Sequence, residues 1–223
     1  MNRTRAVRQL LFALAAASCF ALAAAAQTDS AKPKSKDSFQ RASGVPADAP
    51  RSFEFALGRF TYHFKPNGNA QRTKGDDTRR FALSFGPGEA IKYIYFASYR
   101  GDLLLTCEVL GEHGGTSYAV RLEQPSMRAR WTTNVPATQT GEPARDGSRL
   151  YVTGKNFAGA FDLESGELLW YVDKCPGRKE EFDSFDAPEP RGREVLFRTR
   201  PVYNGRARVV VVNVKTGKIV RAE

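Results

Sequence analysis

The chain has 223 residues, with 34 Lys and Arg against 24 Asp and Glu, for a formal net charge of +10 at pH 7. Hydrophobic residues make up 41%, enough to build a core and too many for a wholly disordered chain. Three Cys and two His are too few for a disulfide-dense scaffold or a Cys/His metal array.

The first 26 residues read as a secretion signal. Arg3, Arg5 and Arg8 form a charged start, Leu10 to Ala23 is apolar, and Ala24-Ala25-Ala26 offers a small-residue cleavage site before Gln27. No Arg-Arg pair marks twin-arginine export, and Cys19 lacks the branched residue expected three positions before a lipidated Cys. The protein is therefore expected in the periplasm or secreted, with no transmembrane segment after cleavage. Residues 27–50 are mostly Lys, Ser, Asp, Pro and Ala and read as a disordered tether. Residues 51–223 form the folded domain, of a size suited to one core.

Strand patterns follow in order. Phe53 to Leu57 and Phe60 to Phe64 alternate or are aromatic-rich. Pro66-Asn67-Gly68-Asn69 is a turn, and the polar stretch Gln71 to Arg79 reads as a loop. Phe81 to Phe85, Ile91 to Tyr99, Leu103 to Leu110 and Tyr118 to Leu122 are strands separated by Gly-rich turns. Arg149 to Thr153, Glu194 to Thr199 and Arg208 to Val214 complete the set. No helical periodicity appears outside the signal.

One unit recurs. Gly154 to Trp170 reads as strand, tight turn, strand, with Asp162, Gly166 and Trp170 as its marks. Val211 to Arg221 repeats it with Asn213, Gly217 and Arg221 in those places. A weaker copy, Arg121 to Trp131, has Glu123 and Met127 before Trp131. The turn needs Gly for positive φ, the Asp accepts turn N–H bonds, and the Trp fills the gap between neighbouring units. The spacing predicts three four-stranded units, with residues 51–65 left over as an extra pair of strands. The expected fold is all-β: antiparallel four-stranded blades in a small or incomplete β-propeller, with a β-sandwich as the alternative.

The run Leu150-Tyr151-Val152, Gly154, Phe161-Asp162, Ser165-Gly166 and Trp170 resembles the repeat of pyrroloquinoline-quinone-like β-propellers. The resemblance covers about 100 residues, Arg121 to Arg221. It implies blades with structural roles for Asp162, Gly166, Trp170, Gly217 and Trp131. Family members that bind the quinone use a larger ring, commonly of eight blades, with cofactor residues at its centre. This chain is too short for that ring, and too short for the outer-membrane-barrel assembly lipoprotein that shares the repeat. None of the family's cofactor residues finds a match, so no cofactor is expected.

Cleavage leaves two Cys, Cys107 and Cys175, which in an oxidising compartment are expected to form a disulfide. Charge is uneven: residues 51–100 carry +5, 101–200 carry −3 and 201–223 carry +4. If the first and last strands adjoin in a closed ring, Arg79, Arg80, Arg206 and Arg208 form one basic patch. The run Glu180 to Pro190 interleaves acids with Phe182 and Phe185, which reads as a solvated loop or as a docking tip with apolar anchors.

His63 and His113 stand 50 residues apart with no ligand cluster, so no metal is expected. No Gly-x-Ser-x-Gly, phosphate-binding Gly loop or His-Glu-x-x-His occurs. Aromatics such as Tyr93, Tyr95 and Phe96 beside Lys92 fit a buried strand as well as a nucleic-acid platform, and export argues against nucleic acid. The leading expectation is a non-catalytic protein that binds another envelope or secreted protein. The alternative is a binder of an anionic envelope polymer, lipopolysaccharide or acidic glycan, through the basic patch.

Overall fold

Apolar runs, alternating in strands such as Phe53–Leu57 and near-continuous in strands such as Asp102–Gly111, form four antiparallel meanders among the described residues. A computed structural model describes residues 38–44, 52–173, 185–199 and 208–222, all within the compact unit Lys36–Glu223. The expected signal sequence lies outside the described residues. The first sheet holds β2 (Ser43–Gly44), β3 (Phe53–Leu57), β4 (Phe60–Phe64), β5 (Asn69–Lys74) and β6 (Asp77–Ala82), paired in that order. The second holds β1 (Gln40–Arg41), β7 (Ala90–Tyr99), β8 (Asp102–Gly111), β9 (Gly114–Leu122) and β10 (Ala129–Val135). The third is β11 (Ala144–Asp146), β12 (Arg149–Gly154), β13 (Phe157–Asp162) and β14 (Leu168–Val172). The fourth is β15 (Glu189–Arg191), β16 (Glu194–Arg198), β17 (Val209–Asn213) and β18 (Ile219–Ala222).

Two expectations are corrected here. There are four sheets among the described residues, not three units and a spare hairpin, because Gln71 to Arg79 is not a loop. It supplies most of β5 and β6, which complete a sheet with β3 and β4. Arg72 conceals the pattern: it occupies an inward position of β5 and is only 1% exposed. Asp77 meets its charge at 2.5 Å, and its guanidinium lies 4.7 Å from the centroid of the Phe60 ring. Residues 38–44, expected within the tether, belong to the fold. Gln40 and Arg41 pair with Phe96 and Tyr95 of β7, and Ser43 and Gly44 pair with Glu54 and Phe53 of β3. Phe39 is buried between the second and third sheets, and Ala42 between the first and second.

Buried side chains fall into three clusters, each between neighbouring sheets. Phe55, Tyr62, Phe64, Ile94, Phe96 and Val120 join the first to the second. Leu104, Trp131, Leu150, Val152 and Phe161 join the second to the third. Tyr151, Trp170, Val195, Phe197 and Val212 join the third to the fourth. Among the described residues no buried cluster joins the fourth to the first.

The same contact closes two of these junctions. The Trp131 ring of β10 lies where a Cβ on Gly166 would stand 2.6 Å away, and its Nε1–H donates to Leu163 O at 3.1 Å. Trp170 of β14 sits against Gly217 in the same way, 2.6 Å from a would-be Cβ, and donates to Val214 O at 2.9 Å. Both turns share one wiring. Asp162 Oδ1 accepts from the Glu164 and Ser165 N–H groups, and Asn213 Oδ1 accepts from those of Lys215 and Thr216. Gly166 and Gly217 take φ of 77° and 67°, the left-handed region that a side chain resists. In the first copy Met127 holds the same place at φ 60°, and its N–H bonds Glu123 O at 2.7 Å. No Trp from β6 presses on it, and its own side chain is buried in the first cluster.

The disulfide is a further correction. Cys107 is a free, fully buried thiol, facing the cluster between the first and second sheets. Cys175 lies outside the described residues, three positions after the end of β14 in the third sheet. Burial alone pushes the Cys107 thiol up to about 12, so the reactive thiolate is scarce at neutral pH.

Three measurements check this account. Gly217→Ala adds a left-handed strain and an overlap with Trp170, together about 3 kcal/mol in urea unfolding. Gly147→Ala, at φ 55° with nothing within 4 Å, carries the strain alone, about 1 kcal/mol. Equal losses would sink the indole-on-glycine contact. Phe39→Ala is expected to cost roughly 3 kcal/mol, against almost nothing for exposed Gln40→Ala. In a Cys175→Ser background, Cys107 is expected to resist maleimide until denaturant unfolds the chain, and rapid native labelling would contradict its burial.

Candidate interaction surfaces

The expected basic patch is not assembled among the described residues. Arg79 and Arg80 are consecutive on β6, so their side chains leave opposite faces of the first sheet. Arg79 shares its face with Arg72 and lies 3.8 Å from Asp77. Arg80 is on the other face, in register with Gln71, His63 and Glu54. Arg208 lies in the fourth sheet's neighbourhood, half-buried, with its backbone bonded to Thr199. Arg206 lies outside the described residues.

The docking tip is corrected in half. Phe185 is buried, paired by its backbone to Thr199, with its ring 6.3 Å from Phe197 in an edge-on contact. It is a core residue of the third–fourth junction and no exposed anchor. Phe182 lies outside the described residues, as do Glu180, Glu181 and Asp183. His63 stands 4.0 Å from Glu54 on the first sheet, whereas His113 is in the β8–β9 turn. Among the described residues no group of three or more His, Cys, Asp or Glu is placed to hold a metal.

Two polar clusters went unread in the sequence. Arg121, nearly buried, donates to Asp102 at 2.7 Å, to Leu163 O at 2.8 Å and to Glu164 at 2.8 Å. Arg130 also reaches Asp102, and Tyr99 donates to Glu164. The Arg121 and Tyr99 hydrogen bonds hold the Glu164 carboxyl below its usual range. This network ties β8 and β9 of the second sheet to the turn of the third and accounts for its own charges. The second cluster centres on buried Glu108, bonded to the Tyr93 hydroxyl and 3.5 Å from Lys92. The same hydroxyl lies 2.7 Å from Thr140 O, so Glu108 and that carbonyl share its one proton, and burial, with Glu108 beside it, pushes its pKa well up. The first cluster links second-sheet strands to the β13–β14 turn, and the second links them to Thr140 in the segment after β10.

The outer strands differ in a way that bears on binding. Residues β6, β10, β14 and β18 form the last strand of each sheet. β10, β14 and β18 each carry a bulge immediately before the Trp position, which leaves Arg130, Leu169 and Val220 unpaired in the ladder. In β10 and β14 the bulge twists the strand and aims the following Trp into the junction, whereas Arg221 of β18 is exposed. Charge marks three of these strands: Asp77, Arg79 and Arg80 on β6, Arg130 on β10 and Arg221 on β18. β14 has none. Leu168, Leu169 and Tyr171 are 38%, 46% and 54% exposed, and Tyr171 stacks on Phe157 at 5.9 Å. Glu167 and Asp173 bracket the strand, both exposed. A signal existed in the sequence, an uncharged Leu-Leu-Trp-Tyr-Val run, but its Trp reads as repeat and conceals that its neighbours face solvent.

No protein-family model matches this chain. No curated protein matches it either. Among solved structures, BamB from Moraxella catarrhalis matches 83% of this chain and 52% of its own, at 14% identity and a TM-score of 0.51. This chain therefore spans about half of that protein's length. The quinohemoprotein alcohol dehydrogenase ADHIIG from Pseudomonas putida HK5 matches over 84% of this chain and 36% of its own, at 14% identity and a TM-score of 0.47. With four sheets in sequential meander order and the indole-to-turn junctions, the likeness to BamB shows the fold: all-β, built from antiparallel propeller-like blades.

Proposed function

We propose that this chain is a non-catalytic, exported blade-repeat protein that binds another envelope or secreted protein. The observation that carries the reading is β14. Three of the five large exposed apolar side chains found among the described residues stand on this one strand. Exposed edge strands are usually guarded by charge, and this one is not. An apolar centre with a charged rim is the anatomy of a protein-binding patch, and large aromatic and aliphatic side chains supply most of its energy. Glu167 and Asp173 at its ends favour a partner whose apolar contact residues are flanked by Lys or Arg. The BamB-like fold supports the reading as a scaffold whose blades present surfaces, and export follows from the signal-like first 26 residues.

The test is capture from a periplasmic extract with residues 27–223 as bait, at low and high salt. A discrete protein is expected to remain at high salt, because an apolar centre is screened little. Leu169→Ser combined with Tyr171→Ser is expected to weaken that capture by about tenfold or more. Capture unchanged by this pair, or no protein retained by either form, would overturn the assignment.

A further inference from the structure

The far face of the first sheet carries a second kind of surface. On β3 to β6 the residues turned away from the core include the in-register row Glu54, His63, Gln71 and Arg80, and beside it Ala56, Thr61, Thr73 and Thr78. This face is polar, whereas the opposite face buries Phe53, Phe55, Tyr62 and Phe64. At one end of it lies a groove of about 400 Å³ lined by His63, Lys65, Asn69, Gln71, Arg80 and Phe81, among others. That volume is in the range of small-ligand sites.

The groove is held rigidly. Gly68 in the β4–β5 turn takes φ 84°, and a Cβ there would stand 2.2 Å from Leu83 O. Its N–H bonds Lys65 O at 3.0 Å, and its carbonyl accepts from Leu83 N at 3.0 Å. Asn69 N–H is bonded by Asn67 Oδ1 at 3.2 Å, and Pro66 O accepts from Ile91 N at 2.8 Å. The turn that presents Lys65 and Asn69 is thus tied to the next sheet, which lowers the ordering cost of binding. Neither Lys65 nor Arg80 has an ion-pair partner among the described residues.

We infer that this groove binds an acidic sugar. Two unneutralised cations converge on it and supply only donors, which suit a carboxylate or phosphate oxygen. The Asn69 and Gln71 amides both donate and accept, which suits the neighbouring hydroxyls of a sugar ring. Ala70 and Phe81 complete the lining, the Phe81 ring lying edge-on against Phe64 on the core side of the sheet. The site lies on the first sheet and β14 on the third, so this inference stands or falls independently of the protein-binding reading.

The test is calorimetric titration of residues 27–223 with three probes: tri-galacturonic acid, glucose 6-phosphate and neutral tri-galactose. One of the two acidic probes is expected to bind, and which of them binds assigns the oxyanion as carboxylate or phosphate. Lys65→Gln and Arg80→Gln are each expected to weaken it by about tenfold, as loss of a charged hydrogen bond does. Arg79→Gln, on the opposite face, is expected to leave it unchanged. All three positions are exposed, so thermal midpoints matching wild type confirm that each variant folds. Failure of both acidic probes, equal binding of tri-galactose, or an equal loss in Arg79→Gln would overturn the inference.

Discussion

The structure depends on one repeated contact: an indole from one sheet laid on a glycine in the turn of the next. It is demanding because it fixes three things together. The turn must place its Gly at positive φ, the Gly must lack a Cβ, and the turn's carbonyl must point at the indole N–H. An Asp or Asn side chain organises that turn by accepting two N–H groups, and the β-bulge before the Trp rotates the ring out of its own sheet. None of these parts stabilises much alone. Together they set the distance and rotation between sheets, and the apolar clusters fill the space that results.

The junction between the first and second sheets shows what happens without the indole. The turn of the second sheet keeps its backbone hydrogen bond but carries Met127 where the other turns carry Gly. A flexible thioether in the left-handed region costs about 1 kcal/mol or more, yet its side chain enters the cluster that an indole would otherwise fill. Aromatic residues of the first sheet do the rest: Phe55 stacks against Phe96 across the junction with centroids 3.9 Å apart. Residues 38–44 add a strap, pairing with β7 and then β3 along their free edges. A junction that lacks the standard contact is held by a different set of forces.

This division explains what the sequence revealed and what it hid. Asp162, Gly166, Trp170 and Gly217 were legible because turn chemistry is local and its residue types are restrictive. The two strands between Ile91 and Leu110 were legible because each is a near-continuous apolar and aromatic run, with Arg100-Gly101 turning the chain between them. β5 and β6 were hidden because Arg72 fills a core position, and a buried guanidinium satisfied by Asp77 and Phe60 looks from the sequence like a loop cation. Phe39 was hidden for the opposite reason, as one aromatic in a stretch of Lys, Ser and Asp whose burial depends wholly on sheets formed later in the chain. Cys107 and Phe185 were misassigned because sequence position does not say which side of a sheet a residue faces relative to its neighbours in space. Of the candidate surfaces, Arg80 was visible as a basic residue. Its separation from Arg79 follows only once the stretch is known to be a strand.

Surface chemistry in a fold of this kind is set by which positions the junctions leave free. Each interior sheet has both faces committed to neighbours, so its side chains are largely chosen by packing. Freedom remains at the outer strands and at the far face of a sheet that, among the described residues, has a neighbour on one side only. The two candidate surfaces occupy those two places. β14 must keep Trp170 and Val172 turned toward the fourth sheet, but alternation leaves Leu169 and Tyr171 unconstrained by that junction. Among the described residues no apolar cluster covers the far face of the first sheet, and it has taken polar side chains, as a solvated cap requires. Apolar side chains at a position that packing leaves free, and unneutralised cations on a face that solubility alone would satisfy with Thr and Gln, are departures from what the fold needs. Those departures, and not the repeat itself, are where binding is to be sought in this protein.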